Sequence, residues 1–251
     1  MKASDSERPS KAEVDRLGER IRESPEPELV DLQLLQAFIL AHDIVLAETE
    51  VVVRESVGEA TSRLKTQGTL IDKLRRQSSR LSQIQDIAGI RVVRDMTLGE
   101  QDALVEQLLA RLPEARVIDR RRAPTHGYRA VHLVVRVQGF RVEIQVRTRL
   151  QHLWAEVIER IGDVYGRGIR YGEAPEDPDM PVSGGLTRAE VVQGIIRSSG
   201  TVAKTEELRM RLSEPISAGI ARDRLIQRQA EIEGELKQTF ERTLTALTRP
   251  E

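Results

Sequence analysis

The chain has 251 residues, 39% of them hydrophobic and 31% charged, with a formal net charge of −1 and no cysteine. That length can bury a sizeable core and that composition belongs to an ordinary globular protein. The lack of cysteine excludes disulfides, thiolate nucleophiles and Cys-based zinc sites and fits a reducing compartment, while a near-zero charge argues against coating nucleic acid through a global basic field.

Residues 1–28 are polar and carry Pro9, Pro25 and Pro27, so a partly helical, partly disordered lead-in is expected. No apolar run follows Met1-Lys2, so no secretory signal is read. The most apolar stretch, Leu34–Ala47, is interrupted by Gln36, His42 and Asp43 and reads as too short and polar to span a bilayer; a cytoplasmic location is expected. From Asp31, the residues Leu32, Leu35, Phe38, Ile39, Ile44 and Val45 recur at helical spacing and predict a helix to about Glu59. A short helix is predicted over Thr69–Arg80, a strand over Ile87–Arg94, a helix over Leu98–Leu112 stopped by Pro113, and a strand over about Arg116–Arg120. Tyr128–Val137 and Phe140–Thr148 read as two strands joined by Gln138-Gly139, a hairpin signal. A helix from Arg149 to about Tyr165 precedes a Gly/Pro/Asp-rich loop, Arg167–Gly185. The rest is predicted helical, with Leu225, Ile232, Leu236, Phe240, Leu244 and Leu247 as one apolar stripe. These C-terminal helices are expected to pack on the N-terminal helix or on another subunit. The fold class expected is α+β: a mixed sheet of about five strands with helices on one face, plus N- and C-terminal helices.

The hairpin register carries most of the functional reading. A two-residue loop pairs Val137 with Phe140, Val135 with Val142, Leu133 with Ile144 and Val131 with Val146, an entirely apolar face. The other face pairs Arg136 with Arg141, Val134 with Glu143, His132 with Gln145 and Ala130 with Arg147, and Tyr128 continues it. A half-solvated antiparallel pair alternates in the same way. Here, however, a carboxylate, an imidazole, a phenol, a carboxamide and guanidiniums converge on one patch, which favours a functional face. Charge is also uneven. Between Arg63 and Arg94 only Asp72 and Asp86 offset the basic residues, and between Arg116 and Arg149 only Asp119 and Glu143 do. A local anion site such as a polyphosphate pocket follows.

At these residues the sequence resembles the synthetase domain of RelA/SpoT-type alarmone synthetases. The resemblance rests on His126-Gly127-Tyr128-Arg129-Ala130-Val131-His132, Glu143-Ile144-Gln145-Val146-Arg147-Thr148 and Gln151-His152-Leu153-Trp154-Ala155-Glu156, together with Asp86-Ile87-Ala88-Gly89-Ile90-Arg91. Upstream, Arg63-Leu64-Lys65 and Lys73 resemble the ATP-side basic motif of that family, and the likeness covers roughly Arg54 to Tyr165 in order. It implies a nucleotidyltransferase-like domain over 29–170, followed by a loop at 171–185 and helices at 186–251. The separate metal-dependent hydrolase domain and the long regulatory C-terminal region of the longer members have no counterpart here, and His42-Asp43 reads as a helix-surface pair. The chain thus looks like a small alarmone synthetase, a type that is often homo-oligomeric.

What the resemblance implies chemically is pyrophosphoryl transfer from ATP to the 3′-hydroxyl of GDP or GTP, with Mg2+ as cofactor. Magnesium takes few protein carboxylates and fills its octahedron with phosphate and water. Asp86 is implied as metal ligand, and Glu143 as the group that assists the attacking hydroxyl and shares the metal. Arg63, Lys65 and Lys73 are implied as ATP-binding cations, and Arg91 as the strand cation at the phosphates, where a guanidinium grips two oxygens at once. Tyr128 is implied to stack on the acceptor base, with His132, Gln145, Arg147 and His152 completing the acceptor pocket; Trp154 reads as packing. Two departures fall on the acceptor side: Pro124 stands where the family often has a lysine, with Arg120, Arg121 and Arg122 as substitutes, and Glu159-Arg160 replaces a Glu-His pair. Two other readings are therefore carried: a toxin-like enzyme that pyrophosphorylates the 3′ end of tRNA, and a nucleotide-binding regulator with impaired catalysis.

Overall fold

The computed structural model describes residues 9–76, 79–182, 184–214 and 220–248. The start of the lead-in, positions 77–78 of the helix expected over Thr69–Arg80, one position of the 171–185 loop, and positions 215–219 and 249–251 of the expected C-terminal helices lie outside the described residues.

Within the lead-in, α1 (Lys11–Glu23) starts at Ser10, whose hydroxyl accepts from the Glu13 amide while the Glu13 carboxylate accepts from the Ser10 amide. This reciprocal box satisfies two amides that the first turn leaves open. Val14, Leu17 and Ile21 form its buried face. Arg20 holds α1 to α2 (Leu29–Val57), donating from Nη2 to Asp31 at 2.7 Å. Leu35 and Ile39 of α2 join Leu17 and Ile21, and Leu70 and Leu74 of α3 (Gln67–Arg76), in one core cluster.

The structure corrects two expectations on α2. At 29 residues the helix is long and apolar enough, by length and composition, to cross a membrane. Nor is His42 on the surface: it is 3% exposed, its Nδ1–H donates to the Phe38 carbonyl at 2.8 Å, and its ring lies edge-on to Phe38 and Phe140. Only Asp43 is exposed. Burial holds the His42 imidazole below its ordinary range, against the opposing pull of the Phe38 hydrogen bond. The unfolded chain takes up that proton near pH 6.5, about one histidine's ordinary value. Stability contributed by neutral His42 is therefore present above that pH and lost as pH falls through the folded-state value. The thermal midpoint is expected to fall on acidification from about pH 7.5 to about pH 5.5, and to fall less in His42→Gln; equal slopes would remove His42 from the acid response.

Five strands form one sheet in the order β1-β2-β5-β4-β3, as expected for the α+β class. They are β1 (Thr61–Leu64), β2 (Ala88–Arg94), β3 (Arg116–Asp119), β4 (Val131–Val137) and β5 (Phe140–Thr148). β1 and β2 are antiparallel, with Thr61 opposite Arg91 and Arg63 opposite Gly89. The hairpin loop is Gln138-Gly139, both at positive φ, 50° and 86°. That is the primed two-residue turn that matches strand twist, and it requires a residue tolerant of left-handed backbone at its second position. β1 is the strand that sequence reasoning did not name: its four residues are mostly exposed and show no alternation. Between β2 and β3 lies α4 (Leu98–Arg111).

By internal contacts the chain forms two compact units, one of Met1–Arg91, Leu108–Arg116 and Leu133–Gln145, the other of Val92–Gln107, Val117–His132 and Val146–Glu251. In the second, Thr148 ends β5 and caps α5 (Arg149–Tyr165) through a box with Gln151. α6 (Arg188–Ser213), boxed by Thr187 and Glu190, and α7 (Ile220–Thr248) follow. The C-terminal helices pack on α5: Phe240, 1% exposed, joins Leu150, Leu153, Trp154, Val157 and Ile161, with Leu236, Leu244 and Leu247 against them. Leu225, the first residue of the predicted stripe, stays half exposed.

Candidate active site

In the first unit the residues of the two N-terminal motifs converge. Lys65 follows β1, and its amide donates to the Ile87 carbonyl at 2.8 Å, extending the β1–β2 ladder by a step. This brings the Lys65 ammonium to 3.3 Å from one oxygen of Asp86, while Lys73, in the last turn of α3, reaches the other at 2.7 Å. The three side chains are 20%, 18% and 32% exposed, so the cluster is shielded yet open to a ligand. Burial pushes the Asp86 carboxyl upward, but Lys73 and then Lys65 outweigh it and hold the group below the usual carboxylate range. Asp86 is thus an ionised oxygen donor through the neutral range and into acid.

A row of backbone positions links this cluster to β5. Gly89, opposite Arg63, lies so close to the next strand that a Cβ there would sit 3.7 Å from the Glu143 carbonyl and 3.8 Å from that of Arg63. Arg63 and the Glu143 backbone carbonyl thus flank Gly89, on β1 and β5; Arg63 is exposed and Glu143 is 7% exposed. Gln145, two residues on and on the same strand face, donates from Nε2 to Glu143 at 2.7 Å. Arg91 stands apart. It pairs with Thr61 at the other end of β1, three residues or roughly 10 Å along the strand from Ala88.

The second unit gathers Tyr128, His132 and Arg147, which the resemblance assigns to the acceptor. Tyr128 Oη lies 2.8 Å from His132 Nε2 and accepts a bond of 2.8 Å from Arg147 Nη2. The Arg147 guanidinium carbon is also 5.0 Å from the Tyr128 ring centroid, within cation–π range. His132 and Arg147 are 5% and 2% exposed. The polar hairpin face is accordingly not a wet surface, because its central side chains are packed and bonded to one another. His152 stands in a separate pair, its Nε2 3.3 Å from Glu156 one turn on.

Tyr128 owes its position to Gly127. At φ 87° that residue adopts a backbone conformation that L side chains rarely take, and a Cβ there would lie 2.8 Å from the Trp154 ring. Trp154 is core, 2% exposed, with its indole N–H on the Ile195 carbonyl at 2.7 Å. Of the three arginines considered in place of the lysine displaced by Pro124, Arg121 is committed elsewhere, to Asp119, Asp102 and Gln101. Arg120 bonds the Thr125 hydroxyl, and Arg122 has a side chain 91% exposed.

Sequence reasoning missed the polar residues that surround this group. Gln101 is fully buried on α4 and donates to the Val146 carbonyl and to Gln151 Oε1, both at 2.9 Å. Glu206 on α6 accepts from the Thr148 hydroxyl and, at 3.0 Å, from Gln151 Nε2; burial raises its carboxyl above the ordinary range, with Thr148 and Gln151 opposing. Neither had a signal of its own, since a Gln or Glu in an amphipathic helix reads as solvent-facing.

Among the described residues no group of three or more His, Cys, Asp or Glu is placed to hold a metal. That excludes, among them, a ligand-rich protein cage. The donors present, an ionised and partly open Asp86 and the strand carboxylate Glu143, fit a magnesium ion that arrives on phosphates and takes one or two protein oxygens.

Residues 62–162 match the family described as the region found in RelA / SpoT proteins, so the chain carries a RelA/SpoT domain. An uncharacterized protein of Mycobacterium tuberculosis is 42% identical over 171 residues, 65% of this chain and 62% of that protein. The GTP pyrophosphokinase YjbM of Bacillus subtilis is 32% identical over 124 residues, 43% of this chain and 58% of that protein. The chain therefore spans less than two thirds of the curated relatives it matches. Among solved structures, the small alarmone synthetase 1 from Bacillus subtilis bound to AMPCPP aligns over 82% of this chain and 99% of that chain, with a TM-score of 0.47 and 21% identity.

Proposed function

We propose that the chain is an ATP:guanine-nucleotide 3′-pyrophosphokinase that makes (p)ppGpp-type alarmones from ATP and GDP or GTP. The observation that carries this reading is the Asp86 carboxylate held between Lys65 and Lys73 in the RelA/SpoT domain. Two ammoniums to one carboxylate leave a local positive excess, and a triphosphate with its metal supplies the missing negative charge. Arg63 adds a further cation from the exposed strand β1.

In the reaction the acceptor 3′-oxygen bonds to the β-phosphorus of ATP. The bond from that phosphorus to the α,β-bridging oxygen breaks, and AMP leaves with that oxygen. Such transfers draw their rate from positioning and charge stabilisation. Lys65 and Lys73 neutralise charge that builds on the leaving side, and Arg91 binds phosphate oxygens further along β2. Glu143, oriented by Gln145, takes or aligns the proton of the attacking hydroxyl. Magnesium, held by Asp86 and Glu143, would polarise the phosphoryl oxygens and offset their charge. Tyr128 stacks on the acceptor base, His132 and Arg147 fix the tilt of its ring through its hydroxyl, and His152 adds a contact from α5.

The test offers ATP labelled in its terminal phosphate, with magnesium, and GDP, GTP, GMP or deacylated tRNA in parallel. Label in a guanine nucleotide is the expected result. Label in tRNA would replace the acceptor while keeping the chemistry, with exposed Arg122 as a contact to a nucleic-acid backbone. Nucleotide binding without transfer would make the chain a regulator.

A further inference from the structure

The matched RelA/SpoT region ends at residue 162, yet the loop that presents Tyr128 is held by a helix beyond it. Ser199 of α6 is 3% exposed. Its hydroxyl donates to the Gly127 carbonyl and accepts from Arg129 Nε at 3.1 Å, binding the residues on either side of Tyr128. Arg129 Nη1 in turn donates to the Arg121 carbonyl, at the start of the same loop. A helical serine commonly turns its hydroxyl back to the carbonyl four residues earlier. Here that carbonyl, of Ile195, already accepts the Trp154 indole and the Ser198 hydroxyl, and Ser199 bonds the loop instead.

Seven residues further on, about 10 Å along the axis and on the same helix face, Glu206 accepts from the Thr148 hydroxyl and from Gln151 Nε2. Thr148 directly follows Arg147, the partner of the Tyr128 hydroxyl. Val202, 1% exposed, lies between the two polar contacts. One face of α6 therefore grips both segments whose side chains meet at the Tyr128 hydroxyl.

We propose that α6 is a splint for the acceptor side of the site, with Ser199 and Glu206 as positioning residues that set the Tyr128–Arg147 geometry and so the affinity for the acceptor nucleotide. This rests on the functional reading above. Neither residue need touch substrate. Their effect passes through the backbone of 127–129 and through the cap that follows Arg147.

The test compares Ser199→Ala, Glu206→Leu and the conservative Glu206→Gln in the full chain, with Val202→Ala as a packing control. Ser199→Ala and Glu206→Leu are expected to raise the acceptor KM about tenfold while leaving the ATP KM within about twofold, since displacement of a binding group by a fraction of an ångström is felt at that scale. Glu206→Gln, which keeps an oxygen for Thr148 and loses the one that accepts from Gln151, is expected to give an acceptor KM between those of the wild type and Glu206→Leu. Val202→Ala lowers the melting temperature without changing the ratio of the two KM values. Amide exchange across 125–129, read by mass spectrometry, is expected to speed up in Ser199→Ala whether or not transfer is detected. Should the wild type transfer nothing to any acceptor, the functional reading fails and the exchange measurement alone decides the splint. Equal rises in both KM values, or unchanged exchange at 125–129 in Ser199→Ala, overturns it. Should Glu206→Leu not fold, Ser199→Ala alone carries the comparison.

Discussion

Replacing Asp86 with Asn is expected to lower pyrophosphoryl transfer roughly a hundredfold to a thousandfold, the scale lost when one preorganised charge-stabilising group is removed from a site. The same is expected of Glu143→Gln. Both substitutions are isosteric and the fold is expected to survive them. A glutamine at 143 still offers an oxygen to Gln145 Nε2, which now lies 2.7 Å from the carboxylate. At 86 the consequence is more specific, because Asp86 is the counter-ion of both Lys65 and Lys73. Asn cannot neutralise them, so the two ammoniums become available to phosphate. ATP affinity measured without magnesium should therefore tighten in Asp86→Asn even as turnover collapses, whereas in Glu143→Gln it should not move. Titration calorimetry with and without magnesium separates the two. Full turnover in either variant would remove that residue from the mechanism. The pH response follows from the same geometry: Asp86 is held below the ordinary carboxylate range by its lysines, so its contribution to stability is present above the unfolded value, near 3.9 for an aspartate in about any unfolded chain, and is lost only as pH falls through the lower folded-state value.

Gly127→Ala is expected to cost acceptor binding without cost to ATP binding. The residue is at φ 87°, and a Cβ would meet the Trp154 ring at 2.8 Å and the Ser199 Cβ at 3.3 Å. The left-handed backbone alone costs an L-residue about 1–2 kcal/mol. The Trp154 ring cannot yield easily, because it is 2% exposed among α5 and α6 residues and its N–H is tied to Ile195. The loop is thus expected to move instead, taking Tyr128 away from His132 and Arg147. The acceptor KM should rise by an order of magnitude or more, about what a 1 Å misplacement costs, and the emission of Trp154, the only tryptophan in the chain, should shift. An unchanged acceptor KM would show that Tyr128 is not fixed through this glycine.

The sequence alone revealed the hairpin because two independent signals agreed there. The alternation of Leu133, Val135, Val142 and Ile144 sets a register, and a glycine at the second loop position permits the tight turn that fixes it. The helix expected from Arg149 to about Tyr165 is α5, and in the structure Thr148 and Gln151 form a capping box at its start. The β1 strand was not legible, since four mostly exposed residues carry no periodicity and their pairing with β2 is a tertiary choice.

The depth of the site was also beyond the sequence. His132, Glu143 and Arg147 sit on the polar face of an alternating hairpin, a pattern that reads the same whether that face is wet or packed. Inside, His132 and Arg147 meet at the Tyr128 hydroxyl and Glu143 accepts from Gln145. His42 shows the converse. An imidazole beside an aspartate looked like a surface pair, but aromatic neighbours at positions 38 and 140 and a backbone carbonyl accommodate it inside. Ser199 and Glu206 carry no local signal, since their partners lie 72 and 58 residues away in the chain.

The most direct test of the account is the stoichiometry of the reaction followed by phosphorus NMR. ATP and GDP, with magnesium and the full chain, are predicted to give AMP and a 3′-pyrophosphorylated guanosine nucleotide in a one-to-one ratio, with no AMP when GDP is omitted. ADP and inorganic phosphate in place of AMP, or ATP left intact beside GDP, would contradict pyrophosphoryl transfer at the Asp86–Lys65–Lys73 cluster.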